Sequence, residues 1–284
     1  MITYLKGDIF SSPAQVLVNT VNTVGVMGKG VALECKKRYP EMFLFYQELC
    51  DEKKLDIGNL CLWKDVDKWI LLFPTKKHWR NPSKLEYIEA GLKKFVASYY
   101  KMGIESIAFP RLGCGNGQLK WKDVKPLMEK HLGTLPIQIF IYVDHYKEEI
   151  PEHEQEKVME NWLRSQINSV GFGMIKEDLQ KRIVNDNVLE MPNGENYQID
   201  WREGIITIRN GSVKEIEEEY FCSFWNYVRE TGVFRLNQMP EQFKEYADCL
   251  VQILKKLDYL QDVIVSDNGI DFGKEGNGFQ YTGK

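Results

Sequence analysis

The segment that most constrains this chain is Val18-Asn19-Thr20-Val21-Asn22-Thr23-Val24-Gly25-Val26-Met27-Gly28-Lys29-Gly30. It follows the apolar run Ala14–Val18 and precedes Val31–Arg38, whose pattern predicts a helix. Strand, asparagine pair, glycine-rich loop and helix in that order predict a βα unit whose turn holds a phosphorylated nucleoside. Glycines let backbone N–H groups approach an anion, and the helix N-terminus that follows favours negative charge. Asparagine amides both donate to and accept from sugar hydroxyls. The spacing is neither GxGxxG nor GxxxxGK[ST], so neither the dinucleotide fold nor the P-loop is indicated.

The rest of the first half repeats this grammar. Strands are expected at Ile2–Leu5, Ala14–Val18, Leu60–Lys64, Trp69–Phe73, Ile104–Phe109 and Ile137–Val143. Helices are expected at Val31–Arg38, Pro40–Asp51, Ser83–Lys101 and Trp121–Leu132, with Ser83 and Glu86 spaced as a capping box. Alternating strands and helices argue for a largely parallel α/β sheet with helices on both faces, and ligands of such sheets bind beyond the C-terminal strand ends. Three more segments sit at such ends. Gly7-Asp8-Ile9 offers a carboxylate for an exocyclic base amine, or an ordinary Asp turn. Phe73-Pro74-Thr75-Lys76-Lys77-His78-Trp79-Arg80 places lysines beside an aromatic residue, suited to an anion, to amine chemistry or to single-stranded nucleic acid. Arg111-Leu112-Gly113-Cys114-Gly115-Asn116-Gly117 reads as a backbone nest for a diphosphate.

Beyond Lys147–Glu156, a polar stretch expected to be a linker or a helix start, the grammar changes. Helices are expected at Lys157–Val170, Ile175–Val184, Val213–Gly232 and Gln242–Leu260, with a hairpin of Tyr197–Trp201 and Gly204–Arg209. A terminal hairpin, Val263–Ser266 with Ile270–Phe272, is expected around Asp267-Asn268-Gly269, followed by a loose Gly-rich tail. Charge divides in the same place: residues 1–150 hold 22 Lys/Arg against 17 Asp/Glu, giving +5, and residues 151–284 hold 15 against 24, giving −9. The expected organisation is therefore a first domain over 1–150 and an acidic one over 151–284. No run of 18 apolar residues, no basic-then-apolar leader, no CxxC pair and no HExxH motif is present. These point away from a membrane span, a signal peptide and a metal site, and toward a cytoplasmic chain with reduced thiols.

GDI, VNTVNTVGVMGKG and RLGCGNG, in this order on this alternation, resemble a macro domain, the fold that binds ADP-ribose, over about residues 1–145. Together with FPTKKHWR they resemble a narrower group, the macro domain of the DarG antitoxins, which removes ADP-ribose from DNA bases modified by the transferase DarT. The resemblance implies an α/β macro domain, a mixed and mostly parallel sheet sandwiched by helices; the patterns beyond it are expected to form a smaller, mainly helical α+β domain. It implies that Asp8 and Ile9 hold the adenine and that Asn22 touches the distal ribose. It also implies that Gly25, Val26, Met27, Gly28, Lys29 and Gly30 wrap ribose and diphosphate, with Asn19, Thr23 and Thr75 in the same binding set. Gly113, Cys114, Gly115, Asn116 and Gly117 would close over the diphosphate. Lys76 would match the catalytic lysine and act with Asn22, needing neither cofactor nor metal. Lys77, His78, Trp79 and Arg80 are candidate DNA contacts, although His78 and Trp79 equally suit loop packing. Tyr142 and Asp144 are placed on the adenine side by position alone. The implied function is an antitoxin-type glycohydrolase acting on ADP-ribosylated single-stranded DNA, with a transferase toxin as a possible partner of the acidic half. The alternatives are a non-catalytic ADP-ribose reader, or a hydrolase of protein-linked or O-acetyl ADP-ribose.

Overall fold

The computed structural model describes residues 1–143, 154–266 and 275–282. Asp144, most of the expected linker, the Asp267–Gly269 turn and Ile270–Phe272 lie outside the described residues. The chain forms two compact units, Met1–Met159 and Glu160–Lys284.

The first unit is built on six strands: β1 (Ile2–Leu5), β2 (Val16–Val21), β3 (Cys61–Trp63), β4 (Trp69–Pro74), β5 (Ser106–Pro110) and β6 (Gln138–Tyr142). Their order across the sheet is β1-β6-β5-β2-β4-β3. Every neighbouring pair is parallel except β3 with β4, which pair antiparallel across the turn at residues 65–67. The central strands are apolar at nearly every position because both faces are covered. Alternation along β2 decides which side chain goes where. Val16 and Val18 join Leu71 and Phe73 under α3 (Leu85–Ser98) and α4 (Trp121–Leu132), whose Ile88, Leu92, Phe95, Val124 and Met128 complete that core. Leu17 and Val21 face the other way, with Ile70 and Leu72, onto α1 (Gly30–Arg38) and α2 (Pro40–Asp51). Asn19 shares the parity of Leu17 and Val21, and so is buried on the α1–α2 side.

Two local expectations fail. The strand expected to end at Val18 runs on to Val21, which puts Asn19 in the ladder instead of the loop. Helix α3 starts at Leu85 behind Lys84, with no side-chain cap. Ser83 is buried instead, its N–H donating to the carbonyl of Gly117 at 3.0 Å, so the tertiary contact with the glycine loop outcompetes the local capping box.

Helix α5 (Glu156–Arg164) crosses the division, and the second unit holds α6 (Phe172–Asn185), α7 (Glu218–Thr231) and α8 (Ala247–Lys256) with two antiparallel sheets. The first sheet is β7 (Val188–Glu190), β8 (Asn196–Arg202), β9 (Ile205–Asn210) and β10 (Ser212–Glu217), in the order β10-β9-β8-β7. The second is β11 (Val233–Phe234), β12 (Leu260–Ser266) and β13 (Glu275–Tyr281), in the order β11-β13-β12. This unit therefore carries more sheet than expected. Residues 213–217 are strand, not helix, since Ser212–Glu217 completes a ladder with Asn210–Ile205. Of the tail expected to be loose, Glu275–Tyr281 pairs along the whole of β12. Its core is aromatic, built on Phe172, Trp225, Phe221, Phe224 and Phe243. Within it the Arg164 guanidinium donates to Asp178 at 2.9 Å, and the Tyr259 hydroxyl donates to the same carboxylate.

Candidate active site

Strand order brings the sequence-distant motifs together. β2 lies between β5 and β4, and all three run parallel. The loops leaving their C-terminal ends, residues 22–30, 75–80 and 111–117, therefore emerge side by side. Contact between the loops after β2 and β5 can be read at Gly30, where an added Cβ would meet the Asn116 amide nitrogen at 3.4 Å.

Asn22 organises the first loop. Its Oδ1 accepts from the N–H of Val24 (3.0 Å) and Val26 (3.3 Å) and from the Tyr46 hydroxyl (3.0 Å). Its Nδ2 donates to the Val26 carbonyl at 2.6 Å, which uses one of the two amide hydrogens. Gly25 (φ +78°) and Gly30 (φ +57°) make the left-handed turns that begin and end the glycine-rich stretch. Val26, Met27 and Gly28 are buried, while Lys29 and Gly30 are half-buried at the start of α1. The first-turn N–H groups of that helix have no intrahelical acceptor and carry the positive end of its dipole. Asn19 is fully buried, with Nδ2 3.7 Å from the Met27 sulfur and Oδ1 lacking a hydrogen-bond partner among the described residues. Two residues not singled out in the sequence support this loop from α2: Tyr46, which also donates to the Asn22 carbonyl at 2.9 Å, and Gln47, whose side chain reaches the Gly25 carbonyl at 3.5 Å. Both are buried polar side chains on an otherwise apolar helix face, the signal by which they are legible.

The third loop is a compact turn. Gly113 adopts φ +68°, and its carbonyl accepts from Leu119 N–H at 2.9 Å. A Cβ at Gly117 would lie 2.4 Å from the Gly113 carbonyl oxygen, whereas one at Gly115 would meet nothing within 4 Å. Gly117 is thus required by the turn itself and Gly115 faces open space. The Cys114 thiol is pushed up to about 11 by burial, with Arg111 pulling weakly the other way, which disfavours a nucleophilic thiolate.

In the loop after β4, Lys76 is buried with Nζ 3.5 Å from the Trp79 carbonyl. Thr75, also buried, donates its N–H to the Val21 carbonyl at 2.9 Å, and Thr23 donates both N–H (3.3 Å) and Oγ1 (2.7 Å) to the Lys77 carbonyl. Lys77 is exposed, and the Arg80 guanidinium stacks 4.5 Å from the Trp79 ring centroid. Trp79 is 0% exposed, so it packs the loop and is not placed to stack on a nucleobase; His78, at 9%, lies beside it with ring centroids 5.5 Å apart. Of the four candidate DNA contacts, only Lys77 and Arg80 present surface.

Asp8 and Ile9 lie apart from these loops, at the end of β1. The Asp8 carboxylate caps a short 3-10 turn by accepting from Phe10 N–H at 3.0 Å, and Arg38 at the far end of α1 comes within 3.9 Å of it. Asp8 is exposed and Ile9 buried. Helix α1 therefore has the glycine loop at its N-terminus and Asp8 near its C-terminus. Tyr142 closes β6 and is largely buried in the α1–α2 core.

A family model described as the Macro domain matches residues 18–128. A "DNA ADP-ribosyl glycohydrolase" of Mycobacterium tuberculosis is 48% identical over 140 residues, covering 48% of this chain and 40% of that protein. The solved macrodomain of Mycobacterium tuberculosis DarG is 46% identical with a TM-score of 0.50, covering 51% of this chain and 99% of that one. The structure of Thermosipho africanus DarTG in complex with ADP-ribose is 41% identical with a TM-score of 0.50, covering 53% of this chain and 43% of that one. The match thus spans about two fifths of the length of the curated DNA ADP-ribosyl glycohydrolases.

Proposed function

Since the chain belongs to the macro domain family through its N-terminal half, we propose that it is a glycohydrolase that releases ADP-ribose from modified bases of single-stranded DNA. The observation that carries this reading is Lys76, a buried lysine whose two chain neighbours, Thr75 and Lys77, are bonded to Val21 and Thr23 on either side of Asn22. A protein that only reads ADP-ribose has no use for a buried amine there. The glycohydrolase name of the relatives and the ADP-ribose in the Thermosipho africanus DarTG structure support the same reading.

In this reading the diphosphate lies between the N-terminus of α1 and the 113–117 turn, where backbone N–H groups and open space at Gly115 receive it. Asp8 accepts from the adenine amine, and the remaining Nδ2 hydrogen of Asn22 reaches the distal ribose. Hydrolysis breaks the bond between the anomeric carbon and the base nitrogen; water supplies the hydroxyl to the sugar and a proton to the base. Lys76 is the group that moves that proton or, as an amine, attacks the ring-opened aldehyde. The reacting loops hold no carboxylate pair of the kind that glycosidases use. Lys77 and Arg80, which present surface, would meet the DNA backbone. The acidic second half suits a basic partner, and a DNA ADP-ribosyltransferase toxin is the one proposed, which makes the protein an antitoxin.

The test is release of ADP-ribose from a single-stranded oligonucleotide carrying a labelled ADP-ribosyl base. Wild type releases it; Lys76→Ala is expected to lose at least ~10²-fold in rate while binding ADP-ribose as before. Tight ADP-ribose binding with no release by wild type would leave a reader, and normal release by Lys76→Ala would remove the lysine from the chemistry.

A further inference from the structure

The geometry points to Thr23 as the residue that positions Lys76, through its hydroxyl and not through the ligand. This rests on the glycohydrolase reading.

The parallel pairing of β2 with β4 ends at Val21 and Pro74, and Thr75 N–H still donates to the Val21 carbonyl at 2.9 Å. In a regular parallel ladder the next bond would run from Thr23 N–H back to the Thr75 carbonyl. It runs instead to the carbonyl of Lys77, at 3.3 Å. Two residues, Lys76 and Lys77, are therefore interposed on the β4 side between consecutive rungs. This is a bulge, the device by which a strand end redirects one side chain. Lys76 is the first bulged residue and is tied on both sides: Thr75 to Val21, and Lys77 to Thr23.

A single N–H···O bond of 3.3 Å is a weak closure for such a bulge. The Thr23 side chain adds the stronger one, Oγ1 donating to the same Lys77 carbonyl at 2.7 Å. That carbonyl accepts two bonds from one residue, so Thr23 sets its direction and with it the Lys77–His78 peptide plane, one residue beyond Lys76. The Lys76 amine is also held from the other side, at 3.5 Å from the Trp79 carbonyl. The hydroxyl's hydrogen is committed to Lys77, which is why Thr23 acts on the lysine loop and not as a donor to ADP-ribose. Thr23 lies next to Asn22, so one dipeptide shapes the glycine loop with its first side chain and the lysine loop with its second.

Thr23→Val removes the hydroxyl and keeps the shape and the N–H, and Thr23→Ser keeps the hydroxyl. Single-turnover release from the labelled single-stranded oligonucleotide and ADP-ribose affinity by calorimetry are measured for both. Displacement of the amine without loss of the binding loop is expected to slow release by Thr23→Val about 10- to 100-fold, with ADP-ribose affinity unchanged and the rate restored in Thr23→Ser. Release by Thr23→Val at the wild-type rate overturns the proposal. Loss of ADP-ribose affinity in step with the rate also overturns it, because Thr23 would then be a ligand contact. Absence of release from wild type itself overturns the glycohydrolase reading and this proposal with it, an outcome distinct from wild-type release shared by Thr23→Val.

Discussion

Asn22 shows how one side chain serves two ends. Its Oδ1 is occupied by two loop N–H groups and the Tyr46 hydroxyl, so replacing it removes the bonds that hold the turn, in addition to the ribose donor proposed for its Nδ2. Lys36 shows the opposite economy, a charge held at some cost. Its amine lies 4.4 Å from the Phe43 ring centroid, and burial lowers it to about 8. The unfolded chain keeps the ordinary lysine value of about 10.4. Between these values the unfolded state binds a proton that the folded state does not, so this group makes folding stability rise with pH from about 8 to 10. Below that window both states are charged and the folded state bears the burial cost. Lys36→Met removes the titration, so wild type is expected to gain stability relative to Lys36→Met as pH rises through the window. Denaturant midpoints of the two proteins at pH 7.5, 8.5 and 9.5 measure this; parallel midpoints would mean that the amine is fully hydrated.

Elements position the site by close approach. Helix α3 crosses β4 at Gly91, where an added Cβ would lie 2.3 Å from Phe73, the residue before Pro74 on the strand that leads to Lys76. Gly91→Ala gains about 1 kcal/mol of helix propensity. A contact that short forces either the ring or the helix to move, at the upper end of the ~1–3 kcal/mol that overpacking costs. The clash therefore wins. A net loss in urea midpoint is expected, along with slower release of ADP-ribose because β4 carries the displacement to its C-terminal end. The same scale explains where sequence patterns misled. The helix expected over Val213–Gly232 begins only at Glu218, because Ser212–Glu217 found a ladder partner in β9. Its alternation of Val213, Glu215 and Glu217 with Lys214 and Ile216 suits an edge strand with one buried position as well as it suits a helix start. Ser83 was spaced for a cap, yet the Gly117 carbonyl claims its backbone.

The whole molecule carries two cores, one around the six-stranded sheet and one around Trp225 and its aromatic neighbours, in two compact units. Trp225 is fully buried, with its indole N–H donating to the Val170 carbonyl at 3.0 Å. Trp225→Ala is expected to cost the second unit about 3–5 kcal/mol and to leave ADP-ribose affinity unchanged. In calorimetry of the full chain, ADP-ribose then raises the transition of the first unit alone, since ligand binding stabilises only the unit that binds it. A loss of ADP-ribose affinity in Trp225→Ala would show that the two units fold as one.

The sequence by itself determined the α/β alternation of the first half and the glycine loops, because each is written in local terms: apolar period and glycine spacing; it placed a lysine pair at a strand end, of which the family resemblance singles out Lys76. Tertiary structure alone decided the rest. Loops separated by about fifty residues meet only because β2 is inserted between β4 and β5, an order that no local pattern encodes. Whether Trp79 faced DNA or the core was open in the sequence, and packing closed it by leaving the ring no surface. The Thr23–Lys77 clamp and the support from Tyr46 and Gln47 join residues on different elements. Hydrogen bonds of that kind follow from where the backbone has already been placed, so they are decided last.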